Sequence, residues 1–200
     1  MIDGRIGLYL LEQIDLAREL MSELEFQSAI CCLKKALENV NDMEGAYAEE
    51  IVRICKLLGL CYRKENLFED AIKVLKMGAE LCQKQFLKGN DKFWRRELAV
   101  CYVNSAIVYD AQTKLDMAVD LYETAIALFD ELGDYESRVK VMLSLGNAYR
   151  RMSRKELANG LYEEAMEIID SDYALERYRI LFCELMDDVI GQKGDKTNVD

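Results

Sequence analysis

Small and large apolar residues recur along this chain with a long period. A small residue, a large one three positions on, alanine at twelve, a large apolar or aromatic residue at sixteen and a small one at nineteen describe four stretches. The first is Ala17, Leu20, Ala29, Leu33, Ala36, and the second Gly59, Tyr62, Ala71, Leu75, Gly78. The third is Ala106, Tyr109, Ala118, Tyr122, Ala125, and the fourth Gly146, Tyr149, Ala158, Tyr162, Ala165. All twenty positions fit one template, and the residue before the anchor is Leu16, Leu58 and Leu145 in three copies and Ser105 in the third. Residues three and four apart share one side of a 3.6-residue turn, so the first two positions mark a face of one helix and the last three a face of a second. Between them the second copy reads Glu65-Asn66-Leu67-Phe68, where asparagine tolerates the left-handed backbone of a tight turn. The unit is a helical hairpin that cannot bury its own faces and must stack on its neighbours.

The anchors Ala29, Ala71, Ala118 and Ala158 lie 42, 47 and 40 residues apart. The excess falls between hairpins, at 44–51, 86–98 and 133–138, where it lengthens the preceding helix, the following one, or both. After the fourth copy, Leu175, Tyr178, Phe182, Leu185 and Val189 follow at intervals of three and four, which predicts a capping helix over 173–190. Residues 191–200 are polar and read as a flexible tail.

Leu58-Gly59…Tyr62…Phe68…Ala71…Leu75 and Leu145-Gly146-Asn147-Ala148-Tyr149…Ala158…Tyr162…Ala165 resemble the tetratricopeptide repeat, with its L-G-x-x-Y…A-x-x-x-F pattern. The resemblance covers about residues 10–172; it departs from the family in lacking the proline that ends each second helix and in having units longer than 34 residues. Long units of this kind look similar to those of Pins/LGN-type adaptors and kinesin light chains. The resemblance implies an all-α fold: a right-handed superhelical solenoid of four hairpins, at about 10–43, 52–85, 99–132 and 139–172, with the cap completing a single domain over 1–190.

In such repeats the first helices line the concave surface, so the face opposite each packing face becomes the candidate groove. It comprises Leu11, Ile14, Asp15, Arg18 and Met21; then Arg53, Lys56, Leu57, Leu60 and Arg63. The third repeat adds Val100, Val103, Asn104, Ile107 and Asp110, and the fourth Lys140, Leu143, Ser144, Asn147 and Arg150. Six basic residues against two acidic make this surface positive inside a chain of net charge −11, which points to a ligand carrying acidic groups. In the resembling family, groove asparagines hold extended peptides through their amides, a role that falls here to Asn104 and Asn147. The family's carboxylate clamp for chaperone tails would need Lys, Asn and Arg at offsets that hold Ile14, Arg18, Val100 and Asn104 here, so that ligand is not expected.

Composition then removes whole classes of function. The 200 residues include no histidine, which excludes a Ser-His-Asp triad and an imidazole zinc site, and no proline, which favours uninterrupted helices. Seven cysteines, Cys31, Cys32, Cys55, Cys61, Cys82, Cys101 and Cys183, form no C-x-x-C pair and read as buried packing in a reducing compartment, cytoplasmic or nuclear. The first residues carry no signal-peptide pattern, and no stretch has the roughly 18 uncharged residues of a membrane span. Trp94, in Lys92-Phe93-Trp94-Arg95-Arg96, is expected to dock between hairpins. No phosphate loop, paired catalytic carboxylates or metal-ligand spacing is present, and no cofactor is expected.

The chain therefore reads as a non-catalytic scaffold or adaptor. It would bind an acidic or amphipathic segment of another protein through apolar anchors and basic residues, and its affinity would fall with salt. The alternative is a structural subunit that self-associates, or packs into an assembly, through the convex face or through a C-terminal helix bearing Ile180, Leu181 and Met186 beyond its main stripe. Nucleic acid is an improbable ligand for a chain of charge −11.

Overall fold

In the computed structural model, described for residues 4–40, 45–89 and 91–184, the chain runs through α1 (Gly4–Ser22), α2 (Phe26–Glu38), α3 (Ala48–Lys64), α4 (Phe68–Gly89), α5 (Lys92–Ala111), α6 (Leu115–Leu132), α7 (Tyr135–Arg151) and α8 (Lys155–Ser171). A 3-10 helix, Tyr173–Tyr178, follows and passes into α-helical turns through residue 184. No strand occurs among the described residues.

The helices end where the repeat dictates. Leu24, Asn66, Thr113 and Ser153 each stand seven positions after a template anchor, and all four adopt the left-handed conformation, with φ of 64°, 59°, 61° and 61°. Their amides donate to the carbonyls of Met21, Arg63, Asp110 and Arg150. The next amide in each turn donates five residues back, to Leu20, Tyr62, Tyr109 and Tyr149, at 2.8–2.9 Å. These paired bonds satisfy the last carbonyls of the first helix and turn the chain back in three residues. The insertion at 86–98 lengthens both of its flanking helices, α4 to Gly89 and α5 from Lys92. Asp91 caps α5 by accepting from the Phe93 amide at 2.9 Å, and Asp134 caps α7 by accepting from the Ser137 amide at 3.1 Å. The insertion at 133–138 is Gly133, at φ 69°, then Asp134 and the first turn of α7, while the described part of the 44–51 insertion, 45–51, supplies the turn around Gly45, at φ 80°, and the start of α3.

Packing follows the template closely. Eighteen of its twenty residues are buried, with Leu20 and Tyr109 half-buried. The small anchor on each first helix receives the large residue of the second. A Cβ on Gly59 would lie 2.6 Å from Leu75 Cγ, and one on Gly146 only 2.3 Å from Tyr162 Cε1.

The chain forms two compact units, residues 1–114 and 115–200. In the first, α1 packs on α2 and α3, α2 on α3, α3 on α4 and α5, and α4 on α5. In the second, α6 packs on α7, α7 on α8, and the 3-10 helix on α8. The segment expected as a capping helix thus opens as a 3-10 helix, because Asp172 in extended backbone starts it by accepting from the Ala174 amide at 3.0 Å. Leu175 and Phe182 are buried, and the Phe182 ring meets Tyr162 edge-on at 5.8 Å. Leu185, Met186, Val189 and the tail 191–200 lie outside the described residues.

Candidate functional site

The groove faces of α3 and α5 come together in one cleft of about 180 Å³, lined by Lys56, Leu57, Gly59, Leu60, Arg63, Asn104, Ile107 and Val108. Six of these were expected from spacing alone. Gly59 and Val108 complete the lining as buried residues. Leu60 stands exposed, with Leu57 and Ile107 half-buried beside it. Arg63 and Asn104 make no side-chain hydrogen bond or ion pair among the described residues, so a guanidinium and an amide are available at the cleft edge.

The expected surplus of positive charge does not survive folding. The Arg53 guanidinium binds Glu49, the Lys56 amine binds Glu97, the Lys140 amine binds Glu136 at 2.6 Å, and Arg18 binds Asp15 at 3.0 Å. Glu49 and Glu136 lie in the first turns of α3 and α7 and Glu97 in the second turn of α5, just outside the face counted from sequence, so the count omitted their charge. The Glu49–Arg53 and Glu136–Lys140 pairs have the i,i+4 spacing that could have revealed them. Lys56 and Glu97 are 41 residues apart and carry no such signature. Their side chains are 21% and 11% exposed, and this pair joins α3 to α5 beneath the cleft. Glu97 is therefore the residue that spacing missed, and Lys56 acts as its partner before it can act on a ligand.

The remaining predicted residues fall elsewhere. Ile14, assigned to the groove, is instead buried in the core of the first unit, since Leu10 and Ala17 on the same face pack inward with it. On α7, Leu143, Ser144, Asn147 and Arg150 are half-buried. Asn147 accepts a long hydrogen bond, 3.4 Å, from the Tyr162 hydroxyl. Arg150 reaches the same hydroxyl, so both are engaged within the hairpin.

Lys140 meets the C-terminal segment. Glu136 accepts from Lys140, from the Tyr178 hydroxyl at 3.1 Å and from Arg177 at 2.6 Å. The Lys140 amine and the Arg177 guanidinium both lie over the Tyr178 ring. The hydrogen bond from Lys140, then that from Tyr178, holds the Glu136 carboxyl below its ordinary range. The same bond raises Lys140 above its own.

The thiols divide by burial. Cys55, Cys61, Cys82 and Cys101 are buried, Cys32 is half-buried, and Cys31 and Cys183 are exposed. Burial first, then the neighbouring Cys101, pushes the Cys55 thiol up to about 12, and burial pushes Cys61 to about 11. Cys82 is raised chiefly by its hydrogen bond to Cys101. Trp94 is half-buried and packs edge-on against Phe93 at 5.0 Å, while Arg95 lies 5.3 Å over the Phe86 ring.

Residues 97–171 match the family described as Tetratricopeptide repeat. No curated protein matches the sequence. A Podosopora anserina protein described as a kinesin light chain with nearly identical TPR-like repeats superposes with TM-score 0.69 at 17% identity, over 95% of this chain and 97% of its own. The Rap conjugation gene regulator of plasmid pLS20, in complex with the Phr* peptide, gives 0.65 at 13% identity, over 96% and 56%. Aspartyl phosphate phosphatase F from Bacillus subtilis gives 0.72 at 14%, over 84% and 41%. At these identities the superpositions establish the fold. Residues 97–171 thus carry the tetratricopeptide repeat in sequence, and the fold of such repeats extends along almost the whole length.

Proposed function

We propose that this protein is a non-catalytic interaction scaffold that holds a segment of a partner protein in the α3–α5 cleft. The observation that carries the reading is the convergence of Leu57, Leu60, Arg63, Asn104 and Ile107 on one cleft. The three apolar residues would bury a leucine-like anchor. Arg63 would pair with one carboxylate beside it, and Asn104 would hydrogen-bond the segment's backbone. The partner motif is thus an apolar residue next to a single acidic one, because Arg18, Arg53, Lys56 and Lys140 are already paired. On α7, Leu143, Ser144, Asn147 and Arg150 would form a secondary contact.

The pLS20 regulator in complex with a peptide supports the use of this fold for holding a chain segment. The phosphatase activity named for another neighbour belongs to a protein of which this chain matches only 41%. The absence of histidine and of any phosphate-binding motif favours a scaffold here. We read the protein as cytoplasmic or nuclear; among the described residues no helix is long and apolar enough to cross a membrane.

The test is an affinity capture from native lysate comparing the wild-type chain with Leu60→Asp/Arg63→Glu, both checked for equal helical signal. Partners lost only from the variant would support the cleft as the site, and partners held equally by both would overturn it. The self-association reading is favoured by Ile180 and Leu181, 71% and 40% exposed on the C-terminal segment. It predicts a dimer mass in sedimentation that Ile180→Lys/Leu181→Lys returns to monomer.

A further inference from the structure

The second unit holds a larger cleft, about 340 Å³, lined by α6, α7 and α8. Its apolar surface is supplied by Ile126, Ala127, Leu157 and Leu161, and Leu157 is 50% exposed. A leucine half in water on an otherwise amphipathic helix is apolar surface left uncovered among the described residues. Glu123 and Asp130 stand exposed at the rim.

Two of the three helices that form this cleft are strongly acidic. Within α6 there are five acidic residues and no basic one; within α8 there are five and a single lysine. Residues 115–200 contain nineteen acidic and ten basic residues, so −9 of the chain's −11 resides there. Arg138, the cation in the cleft, is 17% exposed and clamped between Asp130, at 2.9 Å, and Glu164. One guanidinium between two carboxylates leaves that site negative. The Tyr149 hydroxyl donates to Glu123 at 2.6 Å, which orients the carboxylate while leaving its other oxygen for a ligand.

We infer that the α6–α8 cleft is a second docking surface, which takes a basic amphipathic helix of a partner protein. The apolar stripe of such a helix sits on Leu157, Leu161 and Ile126, and its lysines or arginines reach Glu123 and Asp130 at the rim. An acidic segment would face uncompensated repulsion at this rim, so the two clefts select opposite ligands. A second copy of the chain is the competing occupant, through its own Lys92-Phe93-Trp94-Arg95-Arg96 stretch.

The probe is a fluorescent Leu/Lys peptide of about five helical turns with leucines at i, i+3 and i+4 spacing, read by anisotropy. Its controls are a scrambled peptide of the same composition and a Leu/Glu peptide of the same pattern. Saturable binding of the Leu/Lys helix alone is expected, weakened about 10-fold or more by Leu157→Lys and by Glu123→Lys, with Leu157→Met near wild type. Arg63→Glu, in the other cleft, should leave it unchanged, so failure here and failure of the α3–α5 reading are read separately. Equal binding of the scrambled or acidic peptide, indifference to Leu157→Lys, or a peptide-free dimer that Leu157→Lys dissolves would each overturn the assignment.

Discussion

Gly146 and Gly160 are two glycines of one hairpin with opposite reasons to exist. A Cβ at Gly146 would enter the buried Tyr162 ring, whereas one at Gly160, exposed on α8, would meet nothing within 4 Å. Gly146→Ala should therefore cost about 1–3 kcal/mol by overpacking. Gly160→Ala should gain about 0.5–1 kcal/mol from restricting the unfolded chain and from helix propensity. Urea unfolding of the two variants checks both signs, and a neutral Gly146→Ala would mean that the anchor pairing is loose. Leu24 carries a similar cost, as a non-glycine residue held at φ 64°, and Leu24→Gly should be stabilising by up to about 1 kcal/mol. The anchors were legible because a small residue opposite a large one repeats four times. The left-handed leucine was not, since nothing in its chemistry favours that conformation. It is imposed by the hydrogen bonds that close the turn, from Leu24 to Met21 and from Glu25 to Leu20.

The elements are joined by pairs that sequence spacing conceals. The Lys56–Glu97 pair ties α3 to α5, and Lys56→Met would leave Glu97, 11% exposed, without its cation. A loss of about 3 kcal/mol is expected, the low end for a buried pair with residual solvent contact, and Lys56→Met/Glu97→Leu should recover most of it. If Lys56→Met instead kept full stability and lost partner binding, Lys56 would be a ligand contact. The C-terminal segment is tied to α7 through Glu136. The Glu136 pKa is lowered on folding, so its contribution is present above the unfolded value of 4.5 and is lost as pH falls through the lower folded value. Lys140 is raised, so its contribution is complete below 10.5 and fades as pH rises above that. Residues 173–184 should loosen in acid before α7 and α8 unfold, followed by Tyr178 and Phe182 resonances, and Glu136→Gln should produce the loosening at neutral pH. Helix lengths followed from periodicity and turn chemistry. That Tyr178 would meet Glu136, 42 residues earlier, did not, because it depends on how the segment folds back over α8 and not on any local pattern.

For the molecule as a whole, charge separates the two clefts more sharply than shape. The groove count of six basic residues against two acidic led to an expectation of salt-sensitive binding to acidic ligands. Folding leaves Arg63 as the cation at the α3–α5 cleft with no side-chain partner among the described residues, while Lys56 is paired with Glu97. A single short-range pair loses little when the Debye length contracts, and the long-range repulsion from a chain of −11 is screened at the same time. An acidic, leucine-bearing peptide at this cleft should lose no more than about 3-fold in affinity when ionic strength rises tenfold from about 0.05 M. A basic helix at the α6–α8 cleft meets Glu123 and Asp130 on a unit of net charge −9, and its attraction is collective. That affinity should fall by about 10-fold or more over the same range. Anisotropy titrations of both peptides in one salt series decide it. If the acidic peptide proves the more salt-sensitive, the cations paired in this structure must release their carboxylates when ligand arrives, and the α3–α5 cleft would be a site that opens its own ion pairs to bind.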